Sequence, residues 1–326
     1  MAVTKVAVVQ LSITGLSRYS RSELYKKLTF LLYQGIEAGA DIIIFPALTG
    51  LLFAPEAQKI LEYGIDAKTV QLVWRLGAYW TMEWLDFFRE LAQSNRVFIV
   101  PGTTLESAPP TMWHRGYLLA PNGSVLLSQD QIHFSTEELA LGFEPGDSLS
   151  IGELDQVRFG LLLGQDVWIP EVSRILALQG AQLQISLQAN SSFYDYRKQL
   201  AGSWQLAQSN RVFAIESCLV GKGTKTQYQG LSGIFGPAQA FPPLGILAHI
   251  DPLLTSQASL DLGYLISPQK DKEGVLIRNL DFGLLRRAGE QDQVFSGFNY
   301  LLYNKELSLI YSETGGVEEV KESGKA

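Results

Sequence analysis

LAQSNRVF stands at residues 91–98 and again, letter for letter, at 206–213. Each copy closes a helical pattern: Trp84, Phe87, Phe88 and Leu91 recur at steps of three and four before the first, Trp204 and Leu206 before the second. Each copy then opens an apolar run, FIVPG or FAIES, too short for a helix. The reading is helix then strand, twice, and an identical octapeptide in matching surroundings makes duplication the simplest explanation.

Other landmarks follow in the same order outward from the two copies. VAVVQ at 6–10 pairs with FGLLLGQ at 159–165, and GADIIIFP at 39–46 with GAQLQISL at 180–187, each of the latter a Gly-Ala helix end feeding a β-rich run. Strand-turn-strand closes both halves, as RGYLLAPNGSVLLS with Asn122-Gly123 at its turn and as LSGIFGPAQAFPPLGILAH. The first half carries about 26 more residues between its second strand and its copy of the octapeptide, around LLFAPEAQKILEYGIDAKTVQLVWRLGAYW. A sheet with helices on one face leaves its other face apolar, so two such units pack sheet to sheet. The expected fold is α/β, a four-layer α-β-β-α sandwich of two pseudo-symmetric halves, about 1–150 and 151–285, in one domain. Residues 286–312 form an aromatic-rich C-terminal arm, and 313–326 a disordered tail.

Composition narrows the function classes. Lys+Arg 26 against Asp+Glu 33 gives a net charge of -7, with no basic footprint for nucleic acid. Cys218 is the single cysteine, and His114, His133 and His249 are too far apart for a local zinc spacing, so no disulfide, metal or other cofactor is expected. No apolar run reaches bilayer length and no basic-then-apolar leader precedes VAVVQLS at 6–12, so the chain reads as soluble and cytoplasmic, without a membrane partner.

DIIIFPALTG at 41–50, the Ile132-His133 pair after a strand, FEPGD at 143–147, DVWIPE at 166–171, SNRVFAIES and LDFGLLRR at 280–287 together resemble the nitrilase superfamily of carbon-nitrogen hydrolases over roughly residues 3–287. The resemblance implies an α-β-β-α sandwich that dimerises through a helical face. It also implies covalent hydrolysis or condensation of amides and nitriles, with a glutamate as base, a cysteine as nucleophile and a lysine on the oxyanion. Carried over position by position, all three roles are empty. Phe45-Pro46 is followed by Ala47 where the family has its glutamate, Gln131 stands for the lysine, and Leu163-Gly164-Gln165-Asp166 puts Gly164 at the nucleophile. Glycine there relieves the strained backbone of a nucleophile elbow. Asp166, Pro170, Glu171 and Arg174 match the supporting turn and helix, and the family's fourth carboxylate falls on Glu138 or Glu137.

The remaining chemistry-bearing residues have plainer readings. Cys218, at the end of a strand, is a small core residue. His133 is a hydrogen-bonded structural histidine, Lys222 in GKGTKT sits in a solvated loop without the phosphate-loop order, and GLSG at 230–233 is part of a hairpin. Glu56 and Glu62 are exposed helix charges, and Trp74, Trp80 and Trp84 are core or interface aromatics. The expected function is a catalytically inactive family member with a binding, scaffolding or regulatory role. The alternative is a hydrolase with a non-standard set drawn from Glu138, His133 and Asp166. Ala47, Gln131 and Gly164 are expected to line one cavity, with Glu138 or Glu137 at its rim and His133, Gln165 and Asp166 beside it. The partners expected are a second copy of the chain, an active relative, or a small neutral ligand.

Overall fold

The computed structural model describes residues 3–16, 19–53, 55–76, 79–154, 157–191, 194, 196–250, 272–292, 297 and 299–314. The first half runs β1 (Val3–Ser12), α1 (Arg21–Glu37), β2 (Ile42–Ile44), a 3-10 turn at Thr49–Phe53, α2 (Pro55–Tyr63), α3 (Ala67–Leu76), α4 (Tyr79–Asn95), β3 (Phe98–Val100), β4 (Thr103–Ala108), β5 (Thr111–Leu119), β6 (Val125–Asp130) and the short α5 (Thr136–Ala140). The second runs β7 (Gly152–Leu154), β8 (Val157–Leu163), α6 (Pro170–Leu178), β9 (Leu183–Gln188), α7 (Tyr196–Gln199), a π turn at Leu200–Trp204, α8 (Gln205–Asn210), β10 (Phe213–Lys222), β11 (Gln227–Tyr228), β12 (Gly233–Phe235), β13 (Ile246–His249) and β14 (Gly274–Asp281). α9 (Phe282–Asp292) and α10 (Tyr300–Thr314) follow.

The octapeptide repeat is also a repeat of backbone geometry. α4 ends at Asn95 and α8 at Asn210, the next residues Arg96 and Arg211 both turn left-handed (φ 54° and 57°), and strands open at Phe98 and Phe213. Strand pairing repeats too. β2 lies parallel between β1 and β3, and β9 parallel between β8 and β10; β3 and β10 each take an antiparallel hairpin strand, β5 or β12. One strand crosses between the halves: β14, ending the second, pairs with β1 along Val3–Gln10, while β7 pairs with β8 inside the second half. A short parallel contact of Leu11 and Ser12 with Leu219 and Val220 joins both sheets into one curled surface, a link the alternation of strands did not reveal.

Side-chain parity builds the layers. On β8, Leu161 and Leu163 enter a buried cluster shared with Val6, Val8, Ile42 and Ile44 of the first half, while Leu162 between them packs with Val172, Leu176 and Leu206 of the helices behind the sheet. Leu163 also packs onto Gly116 of β5, where a Cβ would stand 3.1 Å from its Cδ2. Helix, sheet, shared core, sheet, helix is therefore the mixed α/β sandwich expected from the repeat. Residues 1–286 form one compact unit, and 287–326 a second.

The extra residues of the first half form α2 and α3. The end of α2 is fixed to the GKGTKT loop, whose Lys222 is exposed as expected: Lys225 N donates to Glu62 O (2.7 Å) and Thr226 Oγ1 to Leu61 O (2.6 Å). Trp80 and Trp84 are fully buried. α10 reaches Thr314, so the two residues at the head of the expected tail are helical; 315–326 lie outside the described residues. Tyr300, Leu301, Leu302 and Tyr303 on α10 are exposed in the single chain.

Candidate functional site

Gln131, one residue past β6, and Gly164, one residue past β8, are brought into contact. A Cβ on Gly164 would lie 2.7 Å from Gln131 Oε1, and Gly164 is left-handed (φ 53°). Both line a cavity of about 380 Å³. Ala47, three residues past β2, is buried but does not line it; the adjoining Leu48, with φ 61°, does.

A directed chain of neutral hydrogen bonds runs from Leu48 to His133 beside the cavity. Leu48 N donates to Thr103 Oγ1 (2.8 Å); Gln131 Oε1, which can only accept, faces His114 Nδ1, so a neutral ring takes the Thr103 hydroxyl proton at Nε2 (2.5 Å). His114 must then carry its proton on Nδ1, which donates to Gln131 Oε1 (2.6 Å), and Gln131 Nε2 donates on to His133 O (2.5 Å). Burial holds the His114 pKa below its ordinary value, outweighing the hydrogen bond to Gln131 and the charges of Glu138 and Asp130, so the imidazole is neutral at neutral pH. With both ring nitrogens committed, His114 is not available to take a proton from a bound nucleophile.

Asp166, at 1 % exposure, fastens this floor. Its carboxylate accepts from Ile132 N (3.0 Å), His133 N (2.9 Å) and His133 Nδ1 (3.0 Å). Burial nevertheless raises its pKa, against the bonds from Ile132 and His133. Asp166 and His133 thus serve each other and do not line the cavity, and Glu137 is exposed on α5, away from it. Of the residues expected around the cavity, Glu138 and Gln165 do line it, joined by Gln165 Nε2 to Glu138 Oε2 (3.1 Å). That oxygen also closes the Ser135 capping box of α5.

Sequence reasoning passed over several lining residues: His114, Trp168, Asn190 and Lys198. The Lys198 ammonium lies 5.4 Å from the Trp168 ring centre, and Trp168 Nε1 donates to Lys198 O. His114 alone had a readable signal. In TMWHRGYLL the buried positions Met112, His114 and Gly116 alternate, which puts the imidazole on the inner face of β5. Lys198 and Asn190 come from the chain after β9, where no periodicity points inward. Among the described residues, no group of three or more His, Cys, Asp or Glu could hold a metal ion, and no helix is long and apolar enough to cross a membrane.

A second polar cluster lies within β10. Glu216, 1 % exposed, accepts from the Tyr194 hydroxyl, and Cys218 Sγ is 3.7 Å from the same carboxylate oxygen. Burial raises both pKa values, so Cys218 is a buried thiol with none of the activation a nucleophile needs. A folded-state pKa raised above the ordinary 4.5 stabilises the fold at acid pH and loses that contribution as pH rises toward the folded value. Glu216→Gln, which cannot titrate, should therefore gain stability relative to the parent as pH rises from about 4.5 toward neutrality, by about 1.4 kcal/mol for every pH step of one over which the buried carboxyl keeps its proton. Melting curves of both proteins across about pH 4–8 check this, and a constant difference contradicts it.

A sandwich of two β-α-β-α-β halves with a cavity at the ends of β6 and β8 is the architecture of a carbon-nitrogen hydrolase. The chain belongs to the carbon-nitrogen hydrolase family, whose model matches residues 5–249. It is 22% identical over 296 residues to the Probable hydrolase YhcX of Bacillus subtilis (strain 168), covering 89% of this chain and 52% of that protein. It is 24% identical over 187 residues to the Citrullinase of Francisella tularensis subsp. tularensis (strain SCHU S4 / Schu 4), covering 56% and 60%. The matches thus span little more than half the length of these curated relatives. In structure, a carbon-nitrogen hydrolase from Helicobacter pylori G27 superposes with TM-score 0.69 at 20% identity, covering 93% of this chain and 97% of that one. An amidase from Nesterenkonia sp. gives 0.62 at 18%, covering 89% and 95%. At these identities the structural likeness establishes the fold alone.

Proposed function

We propose that this chain is a non-catalytic member of its family, which uses the cavity to hold a small ligand and its surface to engage a partner. The observation that carries the reading is the filling of the nucleophile's place. The Gln131 amide occupies the space beside Gly164 and is locked there by a neutral His114, leaving no thiol, no general base and no fixed cation at the three positions that would form a Glu-Lys-Cys centre. Groups that act as a unit lose most of their rate with the first member removed. Losing carboxylate and ammonium together also avoids an unpaired buried charge. Native mass spectrometry of the untagged protein tests the binding role. The expected result is a non-covalently retained small molecule or polypeptide; bare protein that also stays unshifted in a thermal screen of small polar compounds contradicts it.

The alternative reading is a hydrolase with relocated groups, favoured by Glu138 and Lys198 sharing the cavity wall. It requires turnover that Glu138→Gln abolishes.

We also propose that the chain forms a homodimer or higher oligomer. Phe30 and Tyr33 on α1, and Tyr300, Leu301 and Leu302 on α10, expose apolar area that water disfavours. Light scattering at micromolar concentration should give at least twice the 36.1 kDa chain mass, and truncation after Arg287 should weaken the assembly. A monomer contradicts the proposal.

A further inference from the structure

On the outer side of the inserted helices, a concavity of about 390 Å³ is lined by Lys59 of α2, Lys68 and Arg75 of α3, and Lys225 of the loop before β11. All four are exposed, and among the described residues none lies within 4.0 Å of a carboxylate oxygen. The one acidic group in the lining is Asp66. Its Oδ1 accepts from Lys68 N (3.0 Å) and Thr69 N (2.8 Å), and bonds from Thr69, the largest cause, hold its pKa below the ordinary value. Its acceptor capacity is thus turned to the first turn of α3. A chain of net charge -7 concentrates four cations here against a single carboxylate. Such a cluster repels itself unless an anion joins it.

The walls are held in register by backbone bonds. Lys225 N and Thr226 N both donate to Glu62 O, and Thr226 Oγ1 donates to Leu61 O, so a loop of the second half is fixed to the end of α2. The Lys225 ammonium rests 5.8 Å from the Tyr63 ring centre, which steers it toward the concavity it lines.

We propose that this concavity binds a small multivalent anion carrying two or more phosphate groups. Three lysine point charges and one guanidinium fork suit phosphate oxygens, each group offering several strong acceptors. Four cations against one engaged carboxylate match the charge of a di- or triphosphate. The small extent of the cluster and the net charge of -7 on the chain disfavour a nucleic-acid strand. The two concavities are neighbours along the chain: Ile65 lines the central cavity and the next residue, Asp66, lines this one.

Inorganic tripolyphosphate, ATP and citrate, titrated calorimetrically into the full chain at about 50 and about 300 mM salt, test the proposal. Tripolyphosphate should bind at low salt, weaken severalfold at high salt, and lose at least tenfold in affinity in Lys68→Gln/Lys225→Gln, whose melting temperature without ligand should match the parent because both side chains are exposed. Arg89→Gln, on α4 and outside this concavity, should bind as the parent does. ATP binding as tightly as tripolyphosphate assigns recognition to the phosphates alone; tighter ATP binding adds a nucleoside contact and also supports the site. Absence of tripolyphosphate binding at millimolar concentration, binding that survives the double substitution, or citrate binding as tightly as tripolyphosphate would each overturn it.

Discussion

Asp166→Ala should lower stability by about 3 kcal/mol, the largest loss of any single side-chain truncation at the site. The carboxylate accepts two backbone N–H groups and one imidazole N–H from consecutive residues that are half-buried, so water meets part of the loss and each unmet donor costs about 1 kcal/mol, the low end of the range. Removing a carboxylate whose pKa burial has raised returns part of that cost, which helps keep the net at that low end for three lost bonds. Asp166→Asn keeps one acceptor but places an N–H against donors, so it should lose about half as much. The consequence reaches the cavity, because residues 131–133 are the strip that Asp166 holds down. Denaturant midpoints give the energies. Amide exchange at Ile132 and His133 should accelerate in the alanine variant, and unchanged exchange there would remove Asp166 from its assigned place.

Gly164→Ala should cost about 2–5 kcal/mol. Left-handed backbone penalises any Cβ by about 1–2 kcal/mol. The added carbon would also stand 2.7 Å from Gln131 Oε1, an overpacking worth about 1–3 kcal/mol because that oxygen is held by His114. Gln131→Ala alone leaves the buried His114 Nδ1–H unpaired and should cost about 1–3 kcal/mol. In the double variant the clash is gone, so the two losses should fall short of their sum by about 1–2 kcal/mol. Additive losses would mean that Gly164 and Gln131 do not press on one another, and the nucleophile position could no longer be described as filled.

The sequence carried the fold because the same local chemistry was written twice. LAQSNRVF sets a helix end, a left-handed residue and a strand start in both halves, and alternation within runs such as FGLLLG assigns faces without further information. It also carried the meeting of Gln131 and Gly164, since both stand just past strand ends that the sandwich brings to one place. It did not carry Ala47's exclusion from the cavity lining. That follows from the turn at Leu48, which offers its own side chain to the cavity and its N–H to Thr103. Nor did it carry the pairing of Asp166 with His133, which joins the ends of strands from different halves. Thr103 and His114 meet through the register of β4 against β5, and Lys198 arrives by tertiary packing on Trp168. The pairing of β14 with β1 across the halves was equally hidden, because pairing decided by tertiary packing leaves no local trace.

The proposal that the chain is non-catalytic is tested most directly by turnover and covalent capture on the folded wild-type chain. A panel of aliphatic and aromatic amides, nitriles and carbamoyl compounds is incubated with the protein, ammonia is quantified against a protein-free control, and the intact mass is read at early and late times. A non-catalytic chain gives ammonia at the control level and a single unmodified mass throughout. Ammonia release proportional to protein concentration and lost in Glu138→Gln, or a mass increment matching an acyl adduct, would contradict it.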